Sequence, residues 1–292
     1  MSSSDTTGGA RNLEARNFRI GDVKVTVLNV GDFAMSLYDI FGRDSDLARY
    51  FELRDLTTPP FYPSNTMLIE TASDRVLVDP GDRERLLRAY GAQPPGAPQA
   101  PPSLFEQLAA VGAKPSEIGT VVVTHLHYDH FAGLTRKIGE ENVPSFPRAR
   151  HIIPKRDWDM AEIVEARKKG DKDLADTLGV VEGAGLLSYL DGPTDLGEGV
   201  TLSPSPGESP GHQIVGVTSR GAACYCVGDL YHLKEEVEHP ELAATWADAE
   251  VLARSRTAFA ERASKESAVV LPGHMRPGRI TMEGDAPTWS EV

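Results

Sequence analysis

The segment THLHYDHFAG, residues 124–133, concentrates three of the chain's eight histidines and an aspartate between His125 and His130. At this chain's own His and Asp frequencies, H-x-H-x-D-H arises by accident with a probability of roughly 0.0004. A buried row of imidazoles beside a carboxylate is costly without compensating partners. The cluster therefore restricts the fold to one that delivers these side chains to bound metal. It follows Thr120–Thr124, TVVVT, a β-branched apolar run that predicts a buried strand. In extended backbone His125 and His127 share a face while Leu126 points into the packing, so the two histidines can grip one ion. Asp129 and His130 come where the chain must turn into FAGLT. Four side chains so close in sequence can hardly all close one tetrahedral ion, and the pattern predicts two neighbouring metals.

Composition sets the frame around this cluster. The 292 residues, 40% hydrophobic, are enough for a sizeable core in one large or two ordinary domains. A net charge of −13 and no basic run beyond Arg167, Lys168 and Lys169 argue against a nucleic-acid partner. The opening MSSSDTTGGARN has no apolar region and no stretch approaches about 18 apolar residues, so neither signal peptide nor membrane partner is expected, and a cytoplasmic location is. Cys224 and Cys226, two apart in ACYCVGD, share a strand face and are expected to pack as free thiols.

Residues 1–17 read as a flexible polar tail and 18–292 as a single domain. FRIGDVKVTVLNVGD predicts paired strands, and NTMLIETASDRVLVDPG two strands joined at Ala72–Asp74. Between them Phe33–Tyr62 scatters aromatics without a period, which predicts an irregular covering segment. The Pro-rich Gln93–Pro102 reads as a surface loop. Ser103 opens a helix through the capping-box pattern SLFE. HIIP predicts a strand, Arg156–Lys169 a helix, and Ala247–Ala263 another.

Further ligands must come from distant segments, and SPGHQ, VGDLYH and LPGHMRPG offer them. Pro-Gly turns just before His212 and His274 let the backbone approach an ion. Asp229 emerges where the apolar run CYCVG stops, and a carboxylate can bridge two cations and offset their repulsion. The ordered set H-x-H-x-D-H, P-G-H, G-D, P-G-H resembles the metallo-β-lactamase superfamily over about Phe18 to Ile280. VLVDPG resembles that family's early strand, ending in Asp79.

The resemblance implies an α/β fold, an αββα sandwich of two mixed sheets flanked by helices, with metals at one edge. It implies that His125, His127 and His212 bind a first metal, that Asp129, His130 and His274 bind a second, that Asp229 bridges them, and that Asp79 orients the site. Two divalent ions are expected, Zn first, with Mn, Co or Fe compatible with the same donors. Phe131, Ala132 and Gly133 stand where the family often has Gly-Gly, which implies a differently shaped turn. The likeness is to the lactonase and methyl-parathion-hydrolase-like branch.

The chemistry so implied is hydrolysis: a bridging hydroxide attacks an ester or lactone carbonyl, and Asp129 or a nearby acid passes a proton to the leaving alkoxide. His232, where lactonases commonly place a tyrosine, is a candidate donor to substrate oxygen. An aromatic entrance drawn from Phe33, Met35, Phe41, Phe51 and Phe61 predicts a small-molecule substrate with an acyl or aryl group. Organophosphate and thioester hydrolysis are alternatives within the class. A mononuclear iron oxidoreductase of the persulfide dioxygenase kind, or a catalytically idle binding protein, are alternatives outside it. The sequence leaves oligomeric state open, a homodimer included.

Overall fold

A computed structural model describes residues 15–43, 46–51, 56, 58–91, 100–284 and 286–292. Met1–Glu14 of the expected tail and most of the Pro-rich loop lie outside the described residues. The chain opens with the predicted hairpin, β1 (Arg16–Ile20) and β2 (Val23–Ala34), so Arg16 and Asn17, expected in the tail, are strand residues. After helix α1 (Leu37–Phe41), β3 (Phe61–Glu70) and β4 (Arg75–Val78) form the second predicted pair. Helices α2 (Arg83–Tyr90) and α3 (Leu104–Ala110) precede β5 (Thr120–Val122). The Ser103 capping box is present as read, with Ser103 Oγ accepting from Glu106 N and the Glu106 carboxylate from Ser103 N.

The histidine cluster follows β5 and runs into a single turn, α4 (Tyr128–Phe131). Next come the small ribbon β6 (Thr135–Ile138) and β7 (Glu141–Pro144), then β8 (Arg150–Pro154), α5 (Lys155–Trp158) and α6 (Ala161–Lys169). The single helix expected over Arg156–Lys169 is thus two, because the chain leaves helical geometry at Asp159–Met160. The turns α7 (Lys172–Leu174) and α8 (Val180–Gly183) lead to β9 (Leu187–Leu190). The remaining strands are β10 (Thr194–Gly197), β11 (Val200–Pro204), β12 (Gln213–Ser219), β13 (Ala222–Gly228), β14 (Val269–Pro272), β15 (Gly278–Glu283) and β16 (Ala286–Glu291). Helices α9 (Lys234–Glu238) and α10 (Ala249–Lys265) lie between β13 and β14.

Two seven-stranded sheets result, ordered β1-β2-β3-β4-β5-β8-β9 and β10-β11-β12-β13-β14-β15-β16. Both are mixed: β4, β5, β8 and β9 run parallel, as do β13 and β14, and the other pairs are antiparallel. Alternation along each strand sorts the side chains into layers. Met67 and Ile69 of β3 meet Cys224 and Cys226 of β13 in the core between the sheets. Both cysteines are buried free thiols, as expected. Leu68 faces outward to pack with Leu86, Leu104 and Leu108 of α2 and α3. Tyr225 and Val227 face the other way, onto Leu252, Phe259 and Ala263 of α10. Helix, sheet, sheet, helix is the order of layers, the αββα sandwich that the resemblance implied. Among the described residues no helix is long and apolar enough to cross a membrane.

Candidate metal centre

The polar segments converge at one edge of this sandwich because each follows the end of a strand. Asp79 follows β4, His125 to His130 follow β5, Asp229 and His232 follow β13, and His274 follows β14. The parallel register that sets Cys226 beside Leu271 and Gly228 beside Pro272 brings the ends of β13 and β14 together. Asn65 of β3 binds the first sheet to the second, its side-chain amide donating to the Pro272 and Met275 carbonyls at 3.0 and 2.8 Å. Gly228 adopts φ +50°, and a Cβ there would stand 2.5 Å from Thr124 Oγ1, so the close approach of the two sheets requires glycine.

Among the described residues two donor groups form. Asp129, His130 and His274 make one, and His125, His127, Glu208 and Asp229 the other. Asp229 lies between them: its Oδ1 is 3.1 Å from His130 Nε2 and 3.2 Å from His274 Nε2, while its Oδ2 is 3.5 Å from His125 Nε2. His274 Nε2 is also 3.0 Å from Asp129 Oδ2. Ligands about 2.05 Å from a tetrahedral cation are separated by about 3.3 Å, so these are the spacings of side chains gathered around ions.

The outer nitrogens of His274, His125 and His130 each face a polar partner, which orients the inner ones. His274 Nδ1 is 2.8 Å from the Pro63 carbonyl, and a carbonyl can only accept. Asp79 accepts from Thr124 N at 2.7 Å and from Thr124 Oγ1 at 2.8 Å, so Thr124 Oγ1 is left to accept from His125 Nδ1 at 3.1 Å. The same Asp79 carboxylate lies 3.0 Å from His130 Nδ1. Asp79 itself sits at φ +52°. His125 Nε2, His130 Nε2, His212 Nε2, Asp229 Oδ1 and Glu208 Oε2 are buried without a hydrogen-bond partner. Orphaned buried nitrogens and carboxylate oxygens in two clusters fit a pair of divalent cations.

Electrostatics agree with that arrangement. Burial alone would lower the pKa of His130, but Asp229, Asp129 and Asp79 together hold it well above the ordinary histidine value. For His274 burial is likewise outweighed, chiefly by Asp229 and Asp129, and its pKa rises to about 9. Asp129 and Asp229 are pushed down despite burial, each chiefly by His130 and then by His274. Carboxylates that stay ionised when buried are suited to a cation.

His212, expected at the first metal, is fully buried with its ring 5.3 Å from that of His125 and its Nε2 without a hydrogen-bond partner. Its Nδ1 lies 3.0 Å from the Ser205 carbonyl, and its Nε2 faces Gly228, where an added Cβ would be 3.0 Å away. Glu208 lies in the donor group of His125, His127 and Asp229. The loop between β11 and β12 reads Ser-Pro-Gly-Glu, Ser-Pro-Gly-His, so its first repeat presents Glu208 and its second His212. That tandem was the available signal for Glu208.

Asp157, Tyr90 and Trp246 were also missed, and no local pattern marks them. Asp157 is buried and accepts from Leu126 N at 3.2 Å, Ser209 Oγ at 2.7 Å and Gly211 N at 2.6 Å, tying this loop to the histidine segment. Burial raises its pKa against those bonds. The Tyr90 hydroxyl donates to Asp129 Oδ1 at 3.1 Å.

A cavity of about 350 Å³ opens over the donors. Phe33, Met35, Ile40, Tyr62, Tyr90 and Trp246 form its walls, and His127, Asp129, Asp229, His232 and His274 its polar floor. Of the aromatic candidates only Phe33 lines this cavity, joined by Met35. Phe41 and Phe51 pack together in the core with ring centroids 6.0 Å apart, and Phe61 lines a neighbouring cavity. The turn after α4 also differs from a Gly-Gly turn only in part. Ala132 is buried, while Gly133 is obligatory because a Cβ would stand 2.4 Å from the Gly81 carbonyl oxygen.

A four-layer sandwich with this donor edge defines a metal-dependent hydrolase class, and the chain belongs to the Metallo-beta-lactamase superfamily, which it matches over residues 59–274. Among relatives, it is 26% identical over 220 residues to an N-acyl homoserine lactonase of Bacillus cereus, covering 71% of this chain and 79% of that one. It is 28% identical over 179 residues to the N-acyl homoserine lactonase AttM of Azorhizobium caulinodans, covering 58% and 62%. The fold is shared with the hydrolase AbOPH (TM-score 0.76, 18% identity, 97% and 98% covered). It is also shared with the dizinc quorum-quenching lactonase AidC (TM-score 0.74, 19% identity, 96% and 97% covered).

Proposed function

We propose that this chain hydrolyses a lactone or ester bearing an acyl or aryl group, with residues 18–292 acting as one catalytic domain around two divalent cations, zinc first among them. The observation that carries this reading is the pair of donor groups sharing Asp229 on the floor of an apolar-walled cavity. His125, His127 and His212 would hold the first ion, Asp129, His130 and His274 the second, and Asp229 both. Bound there, the ions acidify a shared water and polarise the carbonyl to be attacked.

The chain's own residues supply the rest. Tyr90 donates to Asp129 Oδ1, which fixes that carboxylate beside the cavity, in reach of a leaving alkoxide that must be protonated. His232 lines the cavity with its Nε2 3.3 Å from Asp229 Oδ2 and its Nδ1 3.4 Å from Glu236. Glu236 also accepts from the backbone N–H groups of His232 and Leu233 and is paired with buried Arg256. Burial opposes a charge on His232, but Glu236 and Asp229 outweigh it and hold its pKa well above the ordinary value. Glu236 holds the Nδ1 side of the ring, so with metal on Asp229 the Nε2 side of His232 is left at the cavity to meet substrate oxygen. Phe33, Met35, Ile40 and Trp246 remove an acyl or aryl group from water.

Elemental analysis together with assays on a long-chain homoserine lactone, a short polar lactone, an aryl ester and an aryl phosphotriester tests the reading. Two metal equivalents and preferential turnover of the long-chain lactone or aryl ester are expected. One iron per chain with oxygen consumption and no hydrolysis would replace it with an oxidoreductase. Preference for the phosphotriester would move the substrate within the hydrolase class.

A further inference from the structure

Glu208 is a buried carboxylate beyond the expected ligands, and the hydrolysis set out above makes no use of it. Its surroundings are tightly built. Gly207, at φ +130°, packs so closely on α10 that a Cβ would lie 2.4 Å from Leu252 N. Three consecutive residues of the β11–β12 loop then grip α10 and the segment leading into it. The Pro206 carbonyl accepts from Ser255 Oγ at 2.6 Å, the Gly207 carbonyl from Asp248 N at 2.8 Å, and Glu208 Oε1 from Trp246 Nε1 at 2.6 Å. The loop that brings His212 toward the first metal position therefore also holds Trp246 in place.

Trp246 is 43% exposed, against 7% for Trp158, and it lines the cavity. Its indole stands nearly perpendicular to the rings of His127 and His232, with centroids 5.9 and 6.1 Å away. A side chain at a cavity mouth that is ordered only when ligand arrives costs about 0.5–1.5 kcal/mol of binding. Here a charge-assisted bond to a buried carboxylate fixes the indole beforehand. Glu208 Oε1 also lies 3.3 Å from His127 Nδ1, so one buried oxygen sets the indole relative to an imidazole of the metal floor.

We propose that Glu208 is a positioning residue for substrate choice: by pinning Trp246 beside His127 and His232 it builds the outer wall on which the acyl or aryl group of the substrate packs. This deepens the functional reading above and rests on it for the presence of such a group. The one polar atom of the indole is engaged by Glu208, so the wall offers the substrate apolar contact and no hydrogen bond. It discriminates by the size of the apolar group.

Tryptophan emission and steady-state kinetics on a long-chain homoserine lactone and a short polar lactone test the assignment. The emission of Trp246 is obtained in each background by subtracting the matching Trp246→Phe variant. It is expected to change when the ring-opened product of the long-chain lactone binds. In Glu208→Leu it is expected to shift to longer wavelength as the indole is released to water, and in Glu208→Gln to stay in place, because the amide oxygen still accepts from Nε1. Trp246→Phe, which keeps a ring and removes the N–H, is expected to raise KM for the long-chain lactone roughly 10-fold more than for the short one. Glu208→Leu is expected to reproduce that difference and, added to Trp246→Phe, to enlarge it no further, since Glu208 reaches the substrate through the indole. Trp246→Phe alters only a half-exposed ring, and equal KM changes for the two lactones in it would overturn the proposal even if Glu208→Leu does not fold. A Glu208→Leu variant with unshifted Trp246 emission, or with the same effect whether or not Trp246 is present, would overturn it too. Those outcomes leave the functional reading standing, whereas hydrolysis of neither lactone nor an aryl ester would overturn that reading and this inference with it.

Discussion

Asp229 is the residue on which the two donor groups depend, since its two oxygens face different clusters. Asp229→Ala is expected to lose both ions, read as less than one metal equivalent by elemental analysis, with hydrolysis abolished. Retention of activity without metal would refute the centre. Asp79 acts one step back, accepting both Thr124 donors and facing His130 Nδ1. Asp79→Ala leaves those buried donors unpaired, a cost of about 1–3 kcal/mol. It is also expected to weaken metal binding by roughly 10–100-fold, measured by chelator competition. The donor residues after β5, β13 and β14 were legible because strand ends and Pro-Gly turns mark them in the chain. Glu208 was marked only by the Ser-Pro-Gly tandem it shares with His212. The Ser205 carbonyl faces His212 Nδ1 and leaves its buried Nε2 without a partner, as the Pro63 carbonyl orients His274.

Among the elements, α10 was legible within two residues, and its start is set by Asp248, whose side chain accepts from Val251 N at 3.1 Å. Asp248→Ala is expected to cost about 1 kcal/mol of stability, read by urea denaturation. The break between α5 and α6 was not legible, since Arg156–Lys169 has an unbroken helical composition. Asp157 in α5 is turned inward to hold the Ser209–Gly211 loop, a tertiary demand that overrides propensity. Strand β8 carries a pH dependence of its own. His151 is buried, and burial lowers its pKa to about 4 from 6.5. Above pH 6.5 both folded and unfolded chains hold it neutral, and its contribution is fully present. Below 6.5 the unfolded chain takes up the proton first, so stability falls as pH drops through about 4, by about 3 kcal/mol in all. Urea midpoints at pH 7, 5.5 and 4 should show this slope, and His151→Leu should flatten it. An unchanged slope would show that His151 is not its source.

For the whole molecule, the donor edge joins both sheets, so metal bound there stabilises the entire sandwich. At a thousand-fold excess over its dissociation constant each ion adds about 4 kcal/mol. A strong chelator is therefore expected to lower the melting temperature by roughly 8 °C or more, with recovery on adding metal back; a calorimetric trace indifferent to chelator would refute this coupling. By itself the sequence determined which donor types were available, their order along the chain and the strand ends that present them. These are local properties, written in covalent spacing and in the alternation of a strand. Only the tertiary structure decided which donors meet, that Glu208 stands beside His127, and that Phe33 and Met35 face the cavity while Phe41 and Phe51 fill the core. Those outcomes depend on how β13 registers against β14 and how loops far apart in the chain pack together, and such contacts leave no mark in neighbouring residues.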